Sequence, residues 1–302
     1  MAGICDERVV IVTGAARGIG RAHALEFARQ GAKVVVNDLG VALDGSGGGA
    51  TPAEEVVAEI RAAGGEAFAN GADVADWQQT QALVAETLER FGRLDVVVNN
   101  AGFVRDRMFV SCSEQEWDAV MRVHVKGHFC LSHHAAEHWR NESKAGRQPN
   151  ARIINTSSGA GLQGSVGQSA YSAAKAAIAT LTLVQAVELA RYGVTANAIA
   201  PSARTRMTEG VFAERMKAPE RGFDAMNPAN VSPLVVWLGS AESHAVTGQV
   251  FECAGGELGV ADGWRTGPRL DKGARWEPDE IGAAVADLLK KAVPAQKVYG
   301  AP

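Results

Sequence analysis

Tyr171 and Lys175 carry the clearest chemical capacity in this sequence. They stand four apart in Tyr171-Ser-Ala-Ala-Lys175, a spacing that puts both on one face of a helix. An unperturbed phenol titrates near pH ~10. An ammonium beside it favours the phenolate, and a tyrosine so placed can take or give a proton near neutral pH. Ser158 lies thirteen residues before Tyr171, at the end of Asn155-Thr-Ser-Ser158, where its hydroxyl can orient a reacting oxygen. Alone, the tyrosine–lysine spacing would equally describe a surface helix pair, so its weight comes from its company.

That company begins at residues 9–12, an apolar run that enters Thr13-Gly-Ala-Ala-Arg-Gly-Ile-Gly20 and then an amphipathic helical pattern. Gly14 permits a tight turn, Gly18 lets backbone approach a phosphate, and Gly20 lets helix and strand pack closely. N–H groups at the helix N-terminus would then face a pyrophosphate. A lone glycine pattern is weak evidence, but here the strand before, the helix after and the distance to Asp38 agree. Asp38 ends Val-Val-Val-Asn-Asp38. A carboxylate there accepts from the adenine-ribose hydroxyls and repels a 2′-phosphate, which selects NAD over NADP. Arg17, inside the loop, is the counter-signal, since arginine can hold that phosphate. Repulsion at contact distance gives Asp38 the greater weight, so the expected cofactor is NAD.

These groups need a frame, and the sequence supplies one. Apolar runs at residues 9–12, 33–36, 66–70, 94–99, 152–156, 194–199 and 249–253 are short and rich in Val and Ile. Strands of a parallel sheet covered on both faces read this way. Helical patterns alternate with them. Thr51-Pro-Ala-Glu54 and Ser113-Glu-Gln-Glu116 are capping boxes, and Gly31 and Gly193 sit where helices should stop. The alternation specifies an α/β, doubly wound, mostly parallel sheet of seven strands with helices on both faces. Residues 40–50 are a glycine-rich loop, expected to be mobile, and residues 141–150 a polar insertion. A further helix is expected over residues 277–291.

The totals fit this frame. Hydrophobic residues make up 46% of the 302 and charged residues 21%, the profile of a globular protein with a large core. A net charge of −4 offers no basic field for nucleic acid or an anionic membrane. No apolar run is read as spanning a membrane. Cys5, Cys112, Cys130 and Cys253 form no CxxC pair, so free thiols in a reducing compartment are expected. The opening MAGICDERVVIVTG is unlike a signal peptide, and the expected location is cytoplasmic.

TGAARGIG, Asn99-Asn-Ala-Gly102, Ser158, and YSAAK with Pro201 downstream together resemble the short-chain dehydrogenase/reductase family over roughly residues 7 to 258. The resemblance implies a Rossmann catalytic domain over residues 1–258 and an extension, 259–302, packing on it or on a partner subunit. It implies further cofactor contacts from Ile19, Asp73, Val74, Asn100, Ala101, Gly102, Pro201 and Thr205, with Lys175 also holding the ribose, and a homodimer or tetramer. Further segments sharpen it: VVNDLG to Gly40, NNAGFVRDR to Arg107, RVHVKG to Gly127, PSARTRMTE to Glu209 and PLVVWL to Leu238. These resemble the (3R)-hydroxyacyl-CoA dehydrogenase part of peroxisomal multifunctional enzymes of type 2, also called 17β-hydroxysteroid dehydrogenase type 4, and their bacterial stand-alone relatives. In that subgroup the substrate is a fatty or steroid-derived 3-hydroxyacyl-CoA.

Two departures stand out. Where the wider family has an asparagine supporting a water chain to the lysine, this chain has His124, whose imidazole could keep a relay. The usual Pro-Gly after the sixth strand reads Pro201-Ser202, and the loop to Met207 is one residue shorter, which makes Thr205 the match for the family's carboxamide-contacting threonine. His134-Ala-Ala-Glu-His138 also fits a zinc-protease pattern. It lacks a separate carboxylate ligand and lies in a dehydrogenase helix, so no metal is expected. The five histidines between Glu114 and Asn141 read instead as a solvated or interface face.

The leading expectation is an NAD-dependent 3-hydroxyacyl-CoA dehydrogenase, in which Tyr171 moves the proton, Lys175 lowers its pKa and Ser158 holds the oxygen. Other readings are a steroid or secondary-alcohol dehydrogenase, an NADPH-linked 3-oxoacyl reductase, and a non-enzymatic dinucleotide sensor. In the extension, Trp264 and Trp276 with Arg269, Lys272 and Arg275 are expected to help enclose an acyl-CoA.

Overall fold

The computed structural model describes residues 3–40, 51–205, 216–294 and 296–301. The glycine-rich stretch 41–50, the side chain of Thr51 and the motif residues 206–209 lie outside the described residues. Strands β1 (Val9–Thr13), β2 (Lys33–Asn37), β3 (Ala67–Asn70), β4 (Val96–Asn99), β5 (Ala151–Thr156), β6 (Val194–Ser202), β7 (Val250–Ala254) and β8 (Glu257–Val260) form one sheet. Their order is β3-β2-β1-β4-β5-β6-β7-β8. Every pairing is parallel except β7 with β8.

Helices α1 (Gly18–Arg29), α2 (Thr51–Ala62), α3 (Trp77–Phe91), α4 (Glu114–Met121), α5 (Gly127–Lys144), α6 (Gly159–Gln163), α7 (Ser169–Leu189), α8 (Ser232–Gly239) and α9 (Pro278–Lys291) complete the described fold. The two sheet faces are separately filled, as alternate strand positions require. Val10, Val12, Val34, Val36, Val96 and Val98 pack under α1, α2 and α8. Val9, Ile11, Val35 and Val97 pack under α3, α5 and α7, with Trp139 fully buried among them. The Trp139 indole donates to the Leu94 carbonyl at 2.7 Å, which keeps its one polar atom satisfied.

All seven expected strands are present, and the eighth corrects the count. β8 pairs antiparallel with β7 across Gly255-Gly256, and all four of its residues are exposed. An exposed edge strand buries no face, so it leaves no hydrophobic period to read. Ala254-Gly-Gly-Glu257 was nevertheless a two-residue hairpin signal. The strand straddles the boundary expected after residue 258. α5 also runs on to Lys144, so the first part of the expected polar insertion is helical. Ser113 does form its capping box with Glu116.

The segment Ser169–Tyr192, which contains α7, is long and apolar enough to cross a membrane by length and composition, contrary to the reading of the runs. Its buried face carries Lys175, Thr182 and Gln185 along with Ala and Ile, the mixture of a helix laid on polar strand ends. The four cysteines are free thiols.

Candidate active site

The sheet order reverses between β1 and β4, and in open α/β sheets that crevice, at the carboxyl ends of the strands, receives ligands. The turn after β1 is built to take a phosphate there. Gly14 and Gly18 have φ of +62° and +55°, a region that side chains other than glycine's rarely adopt. A β-carbon on Gly20 would lie 2.1 Å from the Gly14 carbonyl oxygen, so helix and turn touch only because it is absent. Thr205 lies over this turn, its methyl 3.6 Å from where a Gly18 β-carbon would stand. Arg17 is exposed at the start of α1, and Ile19 is half-buried behind it.

Asp38 follows β2 and is half-buried. One of its oxygens accepts from Ala16 N–H at 3.0 Å and the other from Gly40 N–H at 2.8 Å. The carboxylate is thus fixed against the glycine turn, with further lone pairs available. Thr13 holds the opposite wall. Its hydroxyl accepts from the N–H groups of Asn100 at 2.9 Å and Ala101 at 3.0 Å, while the Asn100 amide donates to the Thr13 carbonyl at 2.9 Å. These residues form a glycine cradle with a positioned carboxylate, a donor set that fits a nicotinamide dinucleotide. Thr13 was legible as a strand end; its clamp on Asn100 joins residues 87 apart and left no local signal.

Two further residues expected at the cofactor also make contacts within the protein. One Asp73 oxygen accepts from Arg122 at 2.5 Å and the other from Ala75 N–H at 2.9 Å. Val74 is buried, with its methyl against Gly127. Both lock the connection after β3 to the helix layer. Pro201 lies within the carboxyl end of β6.

Ser158 caps α6, its hydroxyl accepting from Ala160 N–H at 3.2 Å, and it lies close enough to the Tyr171 phenol to favour the phenolate. Lys175 is buried and donates to the Thr156 carbonyl at 2.6 Å. Its nitrogen is 5.6 Å from the centre of the Tyr171 ring. Serine, tyrosine and lysine therefore converge as expected. The direction of the tyrosine shift does not: burial raises the phenol above its ordinary value, with Ser158 opposing and Asp106 adding. The ammonium is anchored on Thr156 rather than on the phenol, and burial lowers Lys175 to about 7.

The long helix expected from Glu114 is interrupted by a π-helical turn, Arg122–Lys126, that carries His124. His124 is buried, not on a solvated face, and so are His128 and His134. The His124 Nε2 lies 2.7 Å from the Phe103 carbonyl oxygen. A β-carbon on Gly102 would come within 2.3 Å of the imidazole, so Gly102 is a packing surface for this ring. Below it, Asn99 donates to Ser132 and Asn155, each at 2.9 Å. Asn155 in turn donates to Thr182 at 2.9 Å and Gln185 at 2.8 Å. This buried network ties β4 and β5 to α5 and α7, and so fixes the strand end bearing Ser158 relative to the helix bearing Tyr171. On the outer side of α5, His133, His134 and Glu137 bring ligand atoms within 4.8 Å of one another, a different set from the His134–His138 pattern. His134 Nε2 stands 2.9 Å from the Trp77 carbonyl oxygen.

The extension meets the core with other residues than expected. Trp264 is fully exposed. Lys272 pairs with Glu280 and lies over the Trp276 ring at 5.5 Å. Tyr299 is the residue that reaches the site: its ring stands on Gly159, directly after Ser158.

A family model described as short chain dehydrogenase matches residues 8–216. A hydroxyacyl-CoA dehydrogenase of Mycobacterium tuberculosis, ChsB1, is 43% identical over 296 residues, covering 96% of this chain and 90% of its own length. Mouse peroxisomal multifunctional enzyme type 2 is 45% identical over 254 residues, covering 84% of this chain; the match spans only 32% of that longer protein. The crystal structure of a short chain dehydrogenase from Mycobacterium avium is 64% identical, with a TM-score of 0.89 over 99% of this chain and 100% of that one.

Proposed function

The chain belongs to the short-chain dehydrogenase family, and on that basis we propose that it interconverts (3R)-3-hydroxyacyl-CoA and 3-oxoacyl-CoA thioesters with NAD. The observation that carries this is the convergence of Ser158, Tyr171 and Lys175 beside the glycine cradle. The acyl-CoA assignment is supported by similarity along nearly the whole chain to a protein named hydroxyacyl-CoA dehydrogenase.

When bound, the nicotinamide supplies the acceptor for the C3 hydride. The protein's own residues do the rest. The Ser158 hydroxyl donates to the substrate oxygen and sets its distance from Tyr171. Tyr171 takes the hydroxyl proton as the carbonyl forms and returns it in the reverse direction. Lys175, held by Thr156, supports the phenolate electrostatically. The turn at Gly14–Gly20 would hold the pyrophosphate, and Asp38 the adenine ribose in place of a 2′-phosphate. Thr205 and Pro201 would border the nicotinamide.

We read the working unit as a homodimer in the cytoplasm. Trp117, Phe129, Leu183, Val184 and Val187 are exposed apolar residues on α4, α5 and α7, which favours covering by a second copy. The purified chain, given NAD and a 3-hydroxyacyl-CoA, is expected to produce NADH, and NADP to support a slower rate. Turnover of free secondary alcohols without turnover of acyl-CoA would overturn the substrate assignment. Sedimentation velocity checks the assembly.

A further inference from the structure

The end of the chain returns to the catalytic edge of its own subunit. Tyr299 N–H donates to the Gly164 carbonyl at 3.2 Å, and Val166 N–H donates to the Tyr299 carbonyl at 2.9 Å. Ser165 and Tyr299 thereby form a parallel bridge. Val298 packs against Gly164, and Gly300 against Val166. The stapled connection, residues 164–168, is the piece of backbone that joins α6, capped by Ser158, to α7, which carries Tyr171.

Side chains extend the same contact toward the reacting groups. A β-carbon on Gly159 would lie 2.9 Å from both Cε2 and the hydroxyl of Tyr299. The ring therefore fits over Gly159, the residue directly after Ser158, because that residue has no side chain. Tyr299 remains 45% exposed and Val298 40%, so both still offer surface. The other flank is apolar as well. Arg107 N–H donates to the Gly167 carbonyl at 2.7 Å, and the next residues, Met108, Phe109 and Val110, are 59%, 79% and 93% exposed. Val166, between the two flanks, is 47% exposed. A hydrophobic rim thus borders Ser158 and Tyr171 at the point where the part of a substrate beyond its reacting carbon must leave the site. Apolar side chains left this open in a small region mark a binding surface.

We propose that Tyr299 and Val298 form a wall of the acyl pocket, supplied in cis by the chain's own carboxyl terminus, and that Tyr299 sets which acyl chains are turned over. The occupant is the hydrocarbon portion of the acyl group, long or polycyclic, lying between Tyr299 and Met108. The inference rests on the reading of Ser158 and Tyr171 as the reacting end. Tyr299 touches substrate away from the reacting atoms, so it governs specificity and takes no part in proton transfer.

The test uses the full-length protein with NAD and a panel of 3-hydroxyacyl-CoAs running from butyryl length to long-chain and steroid-derived acyl groups. Tyr299→Ala removes the wall, Tyr299→Phe keeps the ring, and Gly159→Ala displaces the ring while leaving Tyr299 in the sequence. For Tyr299→Ala and Gly159→Ala, KM for the long or bulky acyl-CoAs is expected to rise at least about tenfold relative to the shortest, the scale of discrimination by a hydrophobic pocket. KM for NAD should stay unchanged, and Tyr299→Phe should behave as the parent. Melting temperatures and NAD affinity identify any variant that fails to fold. Acyl-CoA binding should also slow hydrogen exchange at the amides of Val166 and Tyr299 in the parent protein, a readout that requires no variant. Equal changes across all acyl lengths, or a parental profile for Tyr299→Ala with no acyl-dependent protection, would reduce the tail to packing and leave the proposed activity standing. Failure of the parent to turn over any 3-hydroxyacyl-CoA would remove the activity itself, and the wall with it.

Discussion

The imidazole of His124 stands edge-on to the ring of Tyr171, with centroids 5.4 Å apart and planes at 87°. Its Nε2 lies 2.7 Å from the Phe103 carbonyl oxygen and 3.1 Å from the Phe103 N–H, while Nδ1 is buried without a hydrogen-bond partner among the described residues. Burial, with Lys175 nearby, lowers the imidazole to about 3, so it is neutral at working pH. The neutral imidazole thus packs against the side of the Tyr171 ring, a contact suited to positioning the phenol.

His124→Leu fills the space but abandons the bond to Phe103. Turnover is expected to fall by up to ~10²-fold, the cost of a small misplacement of a reacting group, with NAD affinity intact. His124→Asn, which restores the residue type of the wider family, should retain more activity. The pH dependence of kcat separates positioning from mere packing, because a displaced phenol changes its environment and its apparent pKa. Identical pH profiles and rates in all three proteins would remove His124 from the site.

Tyr171→Phe keeps the ring against His124 and deletes the transferable proton. Turnover should fall by ~10²–10⁴-fold, the usual contribution of a positioned acid–base group, while NAD still binds. Because burial raises the Tyr171 phenol, the parent's oxidation rate should increase with pH as phenolate forms, whereas the reductive direction needs the protonated phenol and should weaken. A flat oxidation profile together with an active phenylalanine variant would exclude Tyr171 as the base.

Asp38→Ala removes a carboxylate pinned to the glycine turn through Ala16. Weaker NAD binding and a narrower preference over NADP are expected, and titration of both cofactors decides it. A parent protein that prefers NADP would assign the selectivity to Arg17 instead.

The glycine turn was legible as a short motif on one strand–helix junction, and Tyr171 and Lys175 as a four-residue spacing within one helix, with Ser158 at the strand end thirteen residues before. The sheet was legible because its buried strands have no polar face. What stayed hidden required distant partners. Asp73 is joined to Arg122, which arrives 49 residues later in the chain, and that pairing leaves no local signal. The burial of His124 depends on a π-helical turn, which shifts the following side chains around the axis and breaks the period used to place them. Tyr299 sits in a segment with no hydrophobic period, and its partner is a glycine, which carries no side chain to signal a contact. Trp264 was the more conspicuous residue, but size alone says nothing of where a tail is stapled.

Acid should destabilise this protein through histidines buried in the neutral form. His23 is fully buried with Nδ1 on Ser232 at 2.9 Å, and burial lowers it to about 3; His124 is lowered to the same value and His128 well below its ordinary range. In the unfolded chain each titrates near ~6.5. Between these values the unfolded state binds more protons, so stability is complete above the unfolded value and is lost as pH falls through the window toward the folded one. At about pH 5 each fully depressed histidine should have removed roughly 2 kcal/mol, at about 1.4 kcal/mol per pH unit. His23 lies apart from the proposed chemistry, its imidazole on Ser232 of α8, which makes it the cleaner probe. His23→Gln keeps a polar side chain and removes the titration, so its denaturation midpoint should decline less steeply between about pH 7 and about pH 5 than the parent's. Parallel pH dependences for the two proteins would show that the buried imidazole at position 23 does not drive the acid transition.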